Sequence, residues 1–376
     1  MGTILVLTNS SGGLYDFRNE LLVRLLEQHR VVVSLPDTTK VKELEEEGCE
    51  IITTPINRRG VNPKEDAGLL LAYRRLIRDI RPDLVITYTI KPNVYGGFVC
   101  GFSRIPYIAT ITGLGGAFDR QGLFLKMIVM MYRMGLKKAE YVFFQNKENK
   151  DIFAGYHIHG KRERLVNGSG VNLGRHCFEE YPHGGKTIFL FVGRVMKERG
   201  ILEYLEAAVR LHREDVEFAI LGYCDEDYQE LLNEYEEKGI ISQWGFHTQV
   251  HPFLAKADAI VVASFHEGMS NALIEAAATG RPVIASDISG CREALEEGKT
   301  GYGFTPGDAD DLIRAMEKFL ELSGEERASM GKAAREKMER EFDRKIVIDA
   351  YMEAVNEIIQ RSQTILSTPL YSLLKF

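Results

Sequence analysis

Two segments in the second half of the chain place charges and glycines where phosphate and sugar chemistry would need them. In SFHEGMSNALIEAAATG, residues 264–280, an apolar strand ends at Ala263 and a loop carries Glu267 and Gly268 before a helix starts near Ser270 or Asn271. The first N–H groups of a helix have no partner inside it, and its dipole is positive there, so the terminus favours an anion. Gly268 has no side chain to keep a ligand away from the backbone. Glu275, eight residues after Glu267, falls about one turn inside the helix. A carboxylate there repels phosphate but accepts hydrogen bonds from sugar hydroxyls; the plainer alternative is a solvated helix residue. In LFVGRVMKERG, residues 190–200, a strand runs into Gly193 and is followed by Arg194, Lys197 and Arg199. Cations at the mouth of a strand can neutralise a diphosphate through charge-assisted, partly bidentate hydrogen bonds. Arg199 is expected to face solvent, and a solvated basic loop is the alternative. A third segment, NSSGGLYDFR at 9–18, sets Gly12-Gly13 after the first strand. It lacks the full Gly-x-Gly-x-x-Gly fingerprint, so a tight strand–helix turn explains it as well as a phosphate site does.

These segments need a scaffold that carries strand ends and helix starts to one place. Short apolar strands alternate with helix-period segments throughout, and strands this apolar are buried on both faces of a parallel sheet. The first series is 3–8, 31–35, 51–55, 84–89, 107–111 and 141–145, with helices such as 17–28 and 63–80 between them. The Gly-rich and polar stretch 167–186 breaks the alternation and reads as a linker. The pattern restarts with 187–192, 216–221, 260–263 and 282–286. Two doubly wound α/β domains follow, 1–172 and 187–342, with ligands bound between them at strand C-terminal ends. A last helix near 343–362 is expected to pack back on the first domain.

The 376 residues suit two domains, and 45% hydrophobic with 27% charged residues is ordinary for a globular chain. A net charge of −7 argues against a nucleic-acid partner. The five cysteines (Cys49, Cys100, Cys177, Cys224, Cys291) are widely spaced, with no Cys-x-x-Cys and no His/Cys cluster. Reduced thiols and no metal site are expected. The N-terminus reads as a first strand rather than a signal peptide, and no stretch is long and apolar enough to span a bilayer. Of the histidines, His29, His157, His159 and His183 fall at what look like surface loops or helix ends. His247 and His251 read as wall residues near a nucleotide pocket.

Residues 190–305 resemble the C-terminal domain of family-4 retaining glycosyltransferases, which have the GT-B fold of two facing Rossmann-like domains. The matching motifs are GR…RG, the pair Glu267…Glu275, and GRPVIASDISGCREAL followed by TGYGF. The first half resembles members that build capsular, O-antigen or N-linked glycans on polyprenyl diphosphate, through YTIKPNVYGG (88–97) and ITGLGGAF (111–118). The resemblance implies that Arg194 and Arg199 bind the donor diphosphate, with Arg199 where the family usually has Lys. It further implies that Glu267 contacts the transferred sugar, that the N–H groups of Met269, Ser270 and Asn271 lie near sugar or phosphate, and that Glu275 takes the ribose hydroxyls. Val250 would border the nucleobase through its backbone, and Gly13 would let the N-terminal loop approach the diphosphate. Many relatives have a histidine after the fifth strand; here Ile111-Thr112-Gly113-Leu114 has none.

The implied activity is a retaining transfer, EC class 2.4, from a UDP-sugar donor to a polyprenyl-diphosphate-linked glycan, with no cofactor and no metal. A nucleotide-sugar epimerase of the same architecture is the alternative. Residues 120–138, apolar with Arg120, Lys126, Arg133, Lys137 and Lys138, read as a helix facing an anionic membrane, or else as a buried one. The expected location is cytoplasmic, peripheral on the inner face of the cell membrane.

Overall fold

A computed structural model describes residues 1–57, 62–114, 118, 122–182 and 184–367. Gly115, Gly116 and Ala117 of the ITGLGGAF motif, Arg120, His183 and the tail beyond 367 lie outside them. The chain forms two compact units, Met1–Ser169 with Lys345–Phe376, and Gly170–Arg344.

In the first unit, β1 (Thr3–Leu7), β2 (Arg30–Leu35), β3 (Glu50–Thr53), β4 (Leu84–Tyr88), β5 (Tyr107–Ile111), β6 (Tyr141–Phe144) and β7 (Glu163–Leu165) form a parallel sheet ordered β3-β2-β1-β4-β5-β6-β7. In the second, β8 (Thr187–Val192), β9 (Val216–Leu221), β10 (Ser242–Gly245), β11 (Ala259–Val262), β12 (Val283–Ser286) and β13 (Gly301–Phe304) are ordered β10-β9-β8-β11-β12-β13, again parallel. Both are doubly wound α/β sheets. Residues of β1, β4 and β5 are buried on both faces, as an apolar run in a covered sheet requires. The order reverses between β1 and β4 and between β8 and β11, where such sheets open a crevice at their strand C-terminal ends.

Three strands escaped the sequence reading. All are edge strands: β7, β10 and β13 are short and only partly buried, so they lack the apolar runs that mark central strands. The first helix begins at Ser11, not Phe17, because Ser10 caps it by accepting from the Gly13 N–H at 3.2 Å. Gly12 and Gly13 are therefore its first turn rather than a loop before it. His29, expected at the surface, is buried, and its Nδ1 accepts from the Gly2 N–H at 3.3 Å. The segment read as a linker belongs to the second unit from Gly170 onward. Tyr181 donates to Asp258 Oδ1 at 2.9 Å, and the buried Arg281 guanidinium donates to the carbonyls of Glu179 and Glu180 at 3.0 and 2.8 Å. The C-terminal helix Arg344–Ser367 packs into the first unit, where Tyr351 stacks on Phe143 at 4.2 Å and its hydroxyl lies 2.6 Å from that of Thr110.

Candidate active site

The parallel pairing of β8 with β11, Leu190 opposite Ile260 and Phe191 opposite Val261, sets the Arg194–Arg199 loop beside the 264–268 loop at the switch point of the second unit. Two glycines permit the approach. Gly200 has φ +72°, and a Cβ there would stand 2.1 Å from the Ala263 carbonyl oxygen; Gly290 has φ +86°, and a Cβ would stand 2.9 Å from the Cβ of Glu267. Only glycine suits either place. The Phe265 N–H donates to the Glu198 carbonyl at 3.0 Å and locks the two loops together.

Arg199 pairs directly with Glu267, donates to Ser264 Oγ at 3.2 Å, and Ser264 donates to Glu267 Oε1 at 3.0 Å. Arg194 donates to Asp225 Oδ2 at 2.6 Å. Both arginines thus hold carboxylates, and Arg199 is not the solvent-facing cation expected. Burial, then the nearby Arg194 charge, lowers its pKa; a guanidinium stays charged nonetheless. Sequence reading missed Ser264 and Asp225, which carry no signal beyond lying just after β11 and β9.

The helix Asn271–Ala278 starts where expected, with Ser270 as its cap and Ser270 Oγ accepting from the Leu273 N–H at 3.4 Å. The Ser270 N–H, expected to face sugar or phosphate, donates instead to the Gly290 carbonyl at 2.9 Å. Met269 is buried in the core with Leu273 and Ile274. Gly268 lies against Gly290 through its carbonyl. Asn271 opens the first helical turn and remains partly exposed. Glu275 is no solvated helix residue: it is largely covered and faces His176 Nε2 at 3.8 Å. Burial and the neighbouring His251 push His176 down to about 3, so it is a neutral imidazole. Val250 packs against the same hydrophobic cluster as Met269 and Leu273, and its carbonyl accepts from the Phe253 and Leu254 N–H groups at 3.0 Å each.

The histidine reading needs one further correction. His251 lies against Cys177 and Glu179, a cysteine–histidine contact that the spacing did not reveal. His247 donates from Nε2 to the Trp244 carbonyl at 3.0 Å, as a wall residue would.

In the first unit, the switch point carries Gly13 after β1 and Thr89 after β4. A Cβ on Gly13 would meet only Ser10, at 3.6 Å. Thr89 has φ +72° and a buried hydroxyl with no partner, an outlier for a β-branched residue. Arg18 stacks over Tyr88 at 4.4 Å, and Lys91 pairs with Asp66 at 2.6 Å. A cavity of about 600 Å³ opens nearby, lined by Pro36, Pro55, Asp66, Leu69 and Lys91 among others.

Residues 4–146 match the family Glycosyl transferase 4-like, and residues 177–337 match Glycosyl transferases group 1. The chain is a glycosyltransferase. It is similar to the N,N'-diacetylbacillosaminyl-diphospho-undecaprenol alpha-1,3-N-acetylgalactosaminyltransferase of Campylobacter jejuni, 23% identical over 94% of this chain and 98% of the relative. Its fold is GT-B. A glycosyltransferase structure from Rickettsia africae superposes with TM-score 0.78 at 21% identity, covering 95% of this chain and 98% of the other. Anabaena HepE in complex with UDP and glucose superposes at 0.77 and 16% identity, covering 95% and 100%. The epimerase alternative finds no support among these relatives. In this glycosyltransferase no described helix is long and apolar enough to cross a membrane.

Proposed function

We propose that the enzyme moves a sugar from a UDP-sugar to a polyprenyl-diphosphate-linked glycan with retention of anomeric configuration. The observation that carries this reading is the Arg199–Glu267–Ser264 cluster at the switch point, beside Arg194 and the capped start of the helix bearing Glu275. As the donor bond breaks, the leaving diphosphate gains negative charge. A guanidinium has five N–H donors, so Arg194 and Arg199 each hold a carboxylate and still reach a phosphate oxygen. Fixed cations positioned before the reaction stabilise such charge without reorganisation. Glu267 then faces the transferred sugar and Glu275 the ribose hydroxyls. No base is assigned: the acceptor hydroxyl attacks from the side the diphosphate leaves and gives its proton to a donor phosphate oxygen. Gly13 and the Thr89 face of the first unit serve diphosphate and acceptor.

The name of the Campylobacter relative supports a lipid-linked acceptor. The helix Leu123–Leu136 supports a peripheral membrane position. It buries Ile128, Val129, Tyr132 and Leu136 and exposes Leu123, Lys126, Met130, Arg133 and Met134 along one side, with Lys137 just beyond. Apolar and basic groups mixed on one face suit an anionic leaflet. Two cations of the segment are already engaged: Arg133 donates to the Tyr156 carbonyl at 2.6 Å, and Lys138, just past the helix, donates to the Gly101 carbonyl at 2.9 Å.

The test is UDP release with extracted polyprenyl-diphosphate glycans as acceptor, followed by determination of the product's anomeric configuration. Acceptor-dependent release with the donor anomer kept is expected. Sugar conversion without acceptor, or an inverted product, overturns the reading.

A further inference from the structure

Beyond Glu275, at the C-terminal end of its helix, one set of potential ligand atoms converges within the second unit. Cys177 Sγ lies 3.4 Å from His251 Nε2 and 3.6 Å from Glu179 Oε1, and Nε2 lies 3.2 Å from Oε1. These three atoms form the one cluster among the described residues whose chemistry and spacing would hold a metal ion. We propose that Cys177, Glu179 and His251 bind a zinc-like divalent transition-metal ion, with water in a fourth position.

The spacing is the first argument. A tetrahedral zinc ion has bonds of about 2.3 Å to sulfur, about 2.05 Å to imidazole nitrogen and about 2.1 Å to carboxylate oxygen. Those lengths place sulfur about 3.6 Å from nitrogen and from oxygen, and nitrogen about 3.4 Å from oxygen. The three separations in the protein agree within about 0.2 Å, so an ion enters with almost no movement of its donors.

The second argument is the tautomer of His251. The Thr279 hydroxyl donates to the Glu275 carbonyl at 2.8 Å, so its one proton is used. It must therefore accept from His251, whose Nδ1 is 3.3 Å away. A neutral His251 protonated on Nδ1 turns a bare lone pair on Nε2 toward the Glu179 carboxylate. A second ring proton would let Nε2 donate to that carboxylate; without it the two facing acceptors need a cation between them. A metal ion serves both and takes the thiolate as well. A hydroxyl fixing the other ring nitrogen is how metal-bound histidines are commonly held. The set of one thiolate, one imidazole and one carboxylate favours zinc over magnesium or calcium. Cys177 is exposed and His251 partly so, which leaves an entry path. Binding releases the thiol proton. It ties the 170–186 segment to Thr279, at the C-terminal end of the helix that carries Glu275.

Full-length protein stripped with a chelator is titrated with Co²⁺ and then Zn²⁺. One equivalent of Co²⁺ should give thiolate-to-cobalt charge-transfer absorption in the near ultraviolet, bleached by one equivalent of Zn²⁺, and Zn²⁺ should raise Tm. Cys177→Ser should abolish the band and weaken Zn²⁺ at least about 100-fold, while Cys224→Ser behaves as wild type. Thr279→Val should keep the band but weaken Zn²⁺ about 10–100-fold, the usual effect of losing the group that orients a metal-bound histidine. Circular dichroism checks that each variant is folded. The proposal is overturned if folded wild type shows no stoichiometric band, if the band survives in Cys177→Ser, or if that variant binds Zn²⁺ as tightly as wild type.

Discussion

Replacing Arg199 by alanine tests the cluster on two independent scales. Its partner Glu267 has a side chain only 10% exposed, against 30% for Arg199. Removing the guanidinium leaves that carboxylate with Ser264, 3.0 Å away, as its remaining partner in the cluster. Breaking a fully buried ion pair from one side costs about 3–5 kcal/mol. Water reaches Arg199, so the cost here falls to about 1–3 kcal/mol. In a unit of this size each kcal/mol is worth about 2–4 °C, which gives a fall in Tm of about 2–12 °C for Arg199→Ala. Turnover is lost for a different reason, since one preorganised donor to the leaving group is gone; kcat should fall about 10²–10³-fold. Adding Glu267→Gln separates the two effects. The double variant no longer strands a charge and should recover most of the lost Tm, while activity stays low. Scanning calorimetry and UDP release read the two quantities. A single variant that melts like wild type refutes the buried pair, and unchanged kcat/KM for the donor removes Arg199 from the site.

Three further outcomes follow from the same structure. Turnover should survive EDTA at a near-normal rate, because Arg194 and Arg199 supply the charge and the proposed metal site sits at the opposite end of a helix about 12 Å long; chelation losses restored by Mg²⁺ or Mn²⁺ would show otherwise. Lys126→Glu with Lys137→Glu should weaken binding to anionic vesicles at least about 30-fold in a salt-sensitive way, each cation being worth about 1 kcal/mol, and unchanged vesicle sedimentation would refute the membrane face. Burial alone would raise the Glu140 carboxyl, but hydrogen bonds from Lys161 and Arg361 outweigh it and hold the carboxyl below its ordinary value. Such a group adds stability that is present above its unfolded value of about 4.3 and is lost as pH falls through the lower folded value. Tm should therefore drop more steeply in acid for wild type than for Glu140→Gln, and parallel curves would remove Glu140 from the acid response.

The chain's alternation of apolar runs and helix-period segments determined the two parallel sheets, because a strand buried on both faces must be apolar along its whole length. Glu267, Glu275, Arg194 and Arg199 were legible for a related reason: each lies just past a central strand or early in the helix that follows. The edge strands β7, β10 and β13 were illegible: β13, for one, is half glycine and needs only one partner, so it shows no apolar run. Only the tertiary structure decided who pairs with whom. The joining of β8 to β11 turns two separate loops into one cluster and gives Arg199 a carboxylate instead of solvent. The joining of β11 to β12 likewise spends the Ser270 N–H on Gly290, residues that the sequence holds twenty apart. Arg281, within the GRPVIASDISGCREAL motif, is buried and holds backbone carbonyls of the 170–186 segment. Cys177 and His251 are brought together the same way across 74 residues. Local pattern encodes which face of an element is apolar, whereas a contact between two loops depends on strand order, which no single segment contains.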